Sequence, residues 1–321
     1  MSKYSKPRKG SMQFWPRKRA KKSYARVRNW ADEVNSLKIL GFIGYKVGMT
    51  HAIVKDNTPN SMTKGKNIAM PITILECPSL GVLSIRFYKQ YFDGLKLISE
   101  VFSKNVDKEL KRKVISGKKN AVTPKEFDEV RIVVYTKPKL TGIGRKKPEV
   151  SELKIGGKDL EEKSAFLNSL LDKEIKINDV LKEGQLIDLH GVTKGKGFQG
   201  PIKRFGVGRL SHKSKKKVRG VGSIGPWHPS RVRSTVAQPG KMGFHQRTEY
   251  NKMVLKIGNN PKEIENTGGF RKYGVVKNNF ILVNGSVVGT YKRPVIMTEA
   301  MRPKKRVQSF ELVSLGLDIK K

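Results

Sequence analysis

The sequence predicts a mainly β protein, in which an antiparallel β-barrel carries an inserted α+β region and a long non-globular basic loop. Three observations support this fold class. Short apolar runs bounded by glycine and proline recur along the chain, as is typical of barrel strands. Helix-start signals concentrate in residues 94–175. The stretch at 190–248 contains no Asp or Glu and no sustained apolar period.

The predicted strands are short and punctuated by glycine, which favours an antiparallel barrel over βαβ units. They lie at residues 37–44, 49–54, 72–75, 82–88, 185–189, 253–257, 280–288 and 295–297. The run at 49–54 is predicted to pair with the run at 37–44. Asn284 and Gly285 predict a turn within the run at 280–288.

The region at 94–175 has the pattern of a separate α+β insert. Residues 107–113 are predicted to be helical, and 130–135 form a strand run. Thr123 and Glu126 form a capping box with Pro124 at the first helical position, which predicts a short helix. Asp159 precedes a second helix, whose apolar face carries Leu160, Leu167, Leu170 and Leu171. These residues have structural roles and suggest no chemistry.

The predicted organisation interrupts one barrel twice. It comprises a basic N-terminal arm at 1–36, barrel segments at 37–93, 176–191 and 249–321, the insert at 94–175 and a basic loop at 192–248.

The charge of the chain predicts a polyanionic partner. Its 67 Lys and Arg against 27 Asp and Glu give a net charge of +40 and a pI near 10.3. The basic loop cannot bury enough apolar surface to offset its ordering entropy, so we expect it to be flexible alone and to fold against nucleic acid. The alternative is an uncommitted basic linker. Phe198, Phe205, Trp227 and Phe244 argue against it, because linkers seldom contain so many aromatics.

The N-terminal arm is similarly poor in acids. Its first carboxylate is Asp32, which follows eleven Lys or Arg residues. The interleaved aromatic residues are Phe14, Trp15, Tyr24 and Trp30. We interpret the arm as an extended tail on phosphates, with its aromatics stacking on bases or docking on protein. A mitochondrial transit peptide is the alternative, although Pro7, Gly10 and Pro16 would break its helix, and no secretory signal is evident.

Several other site classes find little support. No apolar run is long enough for a membrane helix, and Cys77 is the only cysteine. The four histidines at 190, 212, 228 and 245 have no zinc-site spacing and no nearby acidic or thiol ligands. Residues 195–200 match G-x-G-x-x-G. A dinucleotide site would also need a helix to begin there, which Pro201 disfavours, and an acid well before Glu249.

The most specific local feature is the pair Trp227 and His228, which lies between Pro226 and Pro229. The prolines restrain the backbone on both sides of an indole and an imidazole. This arrangement suits stacking on RNA bases, with Arg231 and Arg233 close behind. The alternative is a tryptophan that anchors a small local core.

The chain resembles the universal ribosomal protein L3 family of the large subunit. The resemblance is carried by GVTKGKGFQGPIKRFG at 191–206, SIGPWHPSRV at 223–232 and GKMGFHQRT at 240–248. LGFIGYKVGMT at 40–50 is similar to the family's first barrel strands. FWPRKRA at 14–20, the insert and the chain length indicate the archaeal type.

The resemblance implies a translation-protein-type barrel with an inserted α/β domain. It also implies an arm and a loop that penetrate large-subunit rRNA toward the peptidyl-transferase centre, with Trp227 at the loop tip. Family members bind early in assembly near the rRNA 3′ end. The implied protein is a non-enzymatic part of the cytoplasmic ribosome, whose partners are rRNA and neighbouring ribosomal proteins. It needs no cofactor, metal, membrane or small-molecule substrate.

The residues predicted to contact RNA are mainly cations of the arm and loop. They are Arg17, Lys18, Arg19, Lys194, Lys196, Lys203, Arg204, Arg209, Lys215, Lys216, Lys217, Arg219, Trp227, His228, Arg231, Arg233, Lys241, His245 and Arg247. Two other classes stay open. An RNA-modifying enzyme would need an acid, nucleophile or cofactor loop near the RNA path. A general packaging protein would bind DNA and RNA alike.

Overall fold

A computed structural model of the chain describes residues 9–31, 34–114, 123–124, 126–214, 216–264, 268–304 and 309–316. The chain divides into two compact units. The large unit comprises Ser23–Gly191 and Arg247–Lys321, and the small unit comprises Met1–Lys22 and Val192–Gln246. Among the described residues, no helix is both long enough and apolar enough to cross a membrane.

The fold is mainly β, as predicted. The strands are β1 (Gly41–Asp56), β2 (Asn67–Glu76), β3 (Leu80–Tyr91), β4 (Gly94–Phe102), β5 (Glu129–Thr136), β6 (Val150–Lys154), β7 (Glu174–Ile175), β8 (Leu186–Val192), β9 (Gly195–Gln199), β10 (Gly240–Gly243), β11 (Gln246–Gly258), β12 (Phe280–Asn284), β13 (Pro294–Glu299) and β14 (Phe310–Leu315). The helices are α1 (Leu160–Leu170) and α2 (Pro201–Phe205). Four short 3₁₀ helices within the described ranges lie at Lys108–Arg112, Pro138–Leu140, Ile177–Asp179 and Pro261–Ile264.

The main sheet of the large unit has seven strands in the order β13-β8-β11-β12-β2-β1-β14. Strand β1 also pairs antiparallel with β13, from Gly41 opposite Thr298 to Tyr45 opposite Pro294. Following hydrogen-bonded neighbours from β13 through to β1 therefore leads back to β13. Strands β8 and β11, between which the chain leaves and re-enters this sheet, are neighbours in it.

Strand β12 shows why the strands of this sheet have nearly continuous apolar sequences. Phe280 and Leu282 belong to one core cluster, whereas Ile281 and Val283 belong to another. Successive side chains of a strand point to opposite faces, so both faces of β12 are buried. The predicted strand run at 280–288 ends at Asn284, before Gly285, whose φ is +76°.

A second sheet of five strands contains β4-β3-β5-β6, with β7 paired to β3. The run at 82–88, predicted to belong to the barrel, lies instead in β3 of this second sheet. Phe42 of β1 and Ile132 of β5, which lies in the predicted insert at 94–175, belong to one core cluster, so this region shares a core with the main sheet. Sequence patterns identify a strand, but its sheet depends on partners far away along the chain.

The predicted pairing of 37–44 with 49–54 is wrong, because one strand, β1, runs through residues 41–56. Its register against β2 shifts between Lys46 and Gly48, where a bulge or similar irregularity accommodates the glycine-rich sequence without a turn.

The helix predicted to begin near Thr123 is absent from the described residues. Residues 126–128 are not helical, and β5 begins at Glu129. Glu126 instead pairs with Lys89 at 2.8 Å. Lys125 lies outside the described residues. The other two helix predictions are confirmed, at the 3₁₀ helix Lys108–Arg112 and at α1 after Asp159.

Trp30 joins the core of the large unit. Its side chain is 5% exposed, and a Cβ on Gly41 would lie 3.2 Å from the indole Cζ3. Of the two roles predicted for the aromatic residues of the arm, docking on protein therefore applies to Trp30. Only Met1–Lys22 of the predicted arm belongs to the small unit.

Candidate nucleic-acid interface

The small unit contains no carboxylate side chain. Its 77 residues include 22 Lys and Arg and no Asp or Glu. Such a unit cannot neutralise its cations internally, and the repulsion among them opposes compaction. Counterions or an external polyanion must therefore balance its charge.

The ends of the basic loop form a two-stranded ribbon, the foot hairpin, made of β9 and β10. Gln199 pairs with Gly240 and Phe198 with Lys241. The sequence of this segment predicts no regular structure, so the ribbon is a feature that only the structure shows. A hairpin forms because its backbone groups satisfy one another, and this requires no apolar core.

Helix α2 follows directly, which corrects the expectation that Pro201 prevents a helix at the G-x-G-x-x-G sequence. Pro201 occupies the first turn, where a missing N–H costs nothing. Gly206 ends the helix with a left-handed φ of 69°. Proline at the start and glycine at the end were the sequence signals for this short helix. The acid required for dinucleotide binding is still missing from the segment.

Phe205 of α2 organises the contact between the arm and the loop. The Trp15 ring lies 5.9 Å from the Phe205 ring, centroid to centroid, and the Arg17 guanidinium carbon lies 4.3 Å from the Phe205 centroid. Arg17 also donates a hydrogen bond to the Arg204 carbonyl at 3.1 Å. The arm and loop thus pack on each other, with a cation–π contact at the centre.

Backbone bonds extend this contact to the foot hairpin. The Ala20 N–H donates to the Phe244 carbonyl at 2.8 Å. The His245 imidazole Nδ1 lies 2.7 Å from the Lys18 carbonyl oxygen and must carry the hydrogen, because a carbonyl only accepts. His245 is 6% exposed. This geometry makes His245 a link between arm and loop, whereas its predicted RNA contact stays a prediction.

His190 is also internal, at the base of the loop in the large unit. Its Nε2 lies 3.1 Å from the Thr298 hydroxyl and its Nδ1 3.0 Å from the Thr248 hydroxyl. Burial lowers the pKa of this imidazole, and the nearby Asp188 partly opposes that shift. His190 therefore links β8 to β13 and β11 within the large unit. His212 and His228 are exposed.

The tip segment, residues 207–239, has no helix or strand among its described residues. Trp227 is 87% exposed at this tip, so the alternative of a local tryptophan core is wrong. An exposed indole gains no stabilisation from hydrophobic burial, and its ring face is accessible to a partner.

Most of the predicted RNA-contacting cations are exposed. These are Lys18, Arg19, Lys194, Lys196, Lys203, Arg209, Lys216, Lys217, Arg219, Arg231, Arg233 and Lys241. Arg17, Arg204 and Arg247 are only partly exposed. Arg204 donates to the Lys241 and Gln238 carbonyls at 3.1 and 2.9 Å, and thereby fastens the two sides of the loop. Lys215 lies outside the described residues.

Comparison with known proteins decides the family. The model of the family described as ribosomal protein L3 matches residues 1–129 and 120–318. The chain is 46% identical to the large ribosomal subunit protein uL3 of Methanocaldococcus jannaschii over 94% of this chain and 93% of that protein. It is 46% identical to the uL3 of Archaeoglobus fulgidus, with 94% of each chain covered. The chain belongs to the ribosomal protein L3 family.

The archaeal assignment is confirmed too. The uL3 of Methanobrevibacter smithii is 44% identical over 98% of this chain and 97% of that protein. These L3 relatives are named as ribosomal subunit proteins, which confirms the prediction of a non-enzymatic protein. Among the described residues, no three His, Cys, Asp or Glu side chains are grouped so as to hold a metal ion.

Proposed function

We propose that the chain is a structural component of the large ribosomal subunit and binds large-subunit rRNA chiefly through its small unit. Support comes from the acid-free composition of this unit and the exposure of most of its described cations. Each phosphate that meets a Lys or Arg releases condensed counterions, which favours binding. Recognition would follow RNA shape more than base sequence.

The tip segment would extend toward the peptidyl-transferase centre and present Trp227 there. The resemblance supplies this placement, and the 87% exposure of Trp227 together with the exposure of Arg231 and Arg233 supports it. The foot hairpin and α2 would hold the root of the loop. Early binding near the rRNA 3′ end, and contacts with neighbouring ribosomal proteins, belong to the same proposal.

For the large unit we propose a closed β-barrel, supported by the pairing of β1 with both β2 and β13. The domain organisation keeps an arm, a loop and an insert. We propose that the insert begins near Leu80 instead of residue 94, because β3 already belongs to the second sheet.

The observation that carries the proposal is the complete segregation of carboxylates from the small unit. Its direct test is co-sedimentation of the chain with large subunits after a moderate salt wash. Replacing Lys216 and Lys217 with Gln should weaken binding to a large-subunit rRNA transcript. The matched control replaces Lys108 and Lys111, two exposed lysines of the large unit, and should change binding much less. Equal losses from both pairs would contradict binding through the small unit.

Two further measurements separate the alternatives. An excess of duplex DNA should compete poorly with the rRNA transcript, whereas equal competition would favour a general packaging protein. Trp227→Ala should leave the melting temperature unchanged, because the side chain is exposed, and should impair peptide synthesis by reconstituted ribosomes. Full activity of that variant would remove the role assigned to the tip.

A further inference from the structure

The small unit contains an open groove of about 500 Å³ between the arm and the foot hairpin. It is lined by Arg19, Ala20, Lys21, Gly195, Gly197, Phe198, Lys241, Met242, Gly243 and Phe244. Its volume is within the range of sites that hold small organic groups. Every residue that lines it belongs to one compact unit.

The cationic side of the groove combines both parts of that unit. Arg19 and Lys21 come from the arm, Lys241 comes from β10, and all three are exposed. The Ala20 N–H bond to the Phe244 carbonyl holds the arm beside the hairpin at this point. With no carboxylate anywhere in the small unit, the groove favours an anion.

The other side of the groove offers an aromatic face and accessible backbone. Phe198 is 72% exposed, a large apolar surface left in contact with water. Gly197 has a φ of +68°, and a Cβ built on it would meet no atom within 4 Å, so open space remains beside it. Gly243 differs, because a Cβ there would lie 2.0 Å from the Lys194 carbonyl oxygen. Gly243 therefore permits the tight hairpin, and Gly197 leaves room for a ligand.

We propose that this groove binds one unstacked nucleotide of the RNA, with its base against Phe198 and its phosphate near Arg19, Lys21 and Lys241. An aromatic ring beside several cations matches a group that carries both a flat π-face and a negative charge. This inference rests on the proposed rRNA-binding function and adds a specific subsite to it. Because the groove needs the docked arm, the arm and loop would recognise this nucleotide together.

The test compares variants of the full chain in binding to the large-subunit rRNA transcript across a salt series. Phe198→Leu keeps an apolar side chain but removes the stacking face, and should weaken binding about tenfold. It should leave the slope of log affinity against log salt unchanged, because no phosphate contact is lost. Lys241→Gln should reduce the magnitude of that slope by about 0.7–0.9. Phe92→Leu, the same substitution at a fully exposed site in the large unit, should change neither quantity.

Photocrosslinking locates the contact. A transcript that contains 4-thiouridine should crosslink to the peptide bearing Phe198 in the parent chain, and much less in the Phe198→Leu variant. If this variant binds within twofold of the parent while salt-sensitive rRNA binding persists, the subsite is wrong and the proposed function stands. If the parent chain shows no salt-sensitive rRNA binding, the proposed function itself fails. Loss of amide protection in β9 and β10 of the variant would make Phe198 structural and overturn the subsite.

Discussion

The large and small units differ most in where their charges find partners. All 27 carboxylate side chains lie in the large unit, together with 45 of the 67 Lys and Arg. There, cations pair internally, as Arg131 does with Glu129 at 3.0 Å and with Glu152 at 3.2 Å. The small unit has 22 cations and no acid. The large unit balances much of its charge by folding, whereas the small unit leaves its charge for a partner.

Their interiors differ in the same way. The large unit has apolar clusters on both faces of its main sheet. In the small unit, the buried side chains among the described residues include only a few apolar groups, among them Val192, Pro201 and Phe205. Hydrophobic burial scales with apolar area removed from water, so it can order the large unit but contributes little to the small one. The small unit relies on backbone pairing, on a few aromatic contacts and, we propose, on RNA.

Raising the salt concentration should produce the largest difference in behaviour between the two units. If about six phosphates are contacted, raising salt from about 50 to 200 mM should weaken binding to the rRNA transcript about 10³-fold. The melting transition of the large unit should move little over the same range, because isolated surface ion pairs contribute little to stability. Filter binding and calorimetry measure the two effects. A flat binding response would end the electrostatic account of the small unit.

Glu76→Ala should damage the large unit selectively. This buried carboxylate accepts hydrogen bonds from the Tyr273 hydroxyl, from the Lys277 N–H at 2.9 Å and from the Asn278 N–H at 3.0 Å. Its removal leaves those donors unsatisfied, and should cost about 3 kcal/mol of unfolding free energy and about 10 °C of melting temperature.

Two controls accompany this variant. Glu162→Ala, at an exposed position in α1, should shift the melting temperature by only a few degrees. RNA affinity of Glu76→Ala, measured well below its transition, should stay near that of the parent chain. A large loss of affinity there would show that the two units are not energetically separable.

Phe205→Ala should loosen the small unit alone. It removes the ring that Trp15 and Arg17 contact, so trypsin should cleave the arm at Arg17 and Lys18 about tenfold faster. Trp227→Ala removes an aromatic that is exposed and should leave arm cleavage unchanged. Unchanged cleavage in Phe205→Ala would mean that the arm docks through its backbone bonds alone.

Of these changes, acidification should have the smallest effect, on the melting temperature of the large unit. A hydrogen bond from the Ser103 hydroxyl lowers the pKa of Asp172, and one from Lys137 lowers the pKa of Glu174. A carboxyl whose folded pKa is depressed stabilises the fold above its unfolded pKa, and this contribution is lost as pH falls through the folded value. The melting temperature should therefore decline as pH drops below about 4.5. The melting temperature of Asp172→Asn should fall less steeply with decreasing pH than that of the parent chain. An equal slope in the two proteins would exclude Asp172 as a contributor.

Local residue patterns predict some elements of both units and not others. Strand runs such as 72–75 and 295–297 were predicted correctly, because β-branched residues between turn signals suit a buried strand. Helix α1 was predicted from Asp159 and one apolar face. The short helix α2 contradicts the expectation that Pro201 breaks a helix, because Pro201 occupies its first turn.

The mainly β class, the family resemblance and the segregation of charge follow from the sequence, since these depend on residue type and local spacing. That β3 leaves the main sheet, that Trp30 is buried and that His245 holds the arm against the loop emerges only from the folded chain. The Nδ1 of His245 meets a carbonyl 227 positions away in the chain. Such contacts arise from packing among distant segments, and local patterns carry no information about which distant partner a strand or side chain will meet.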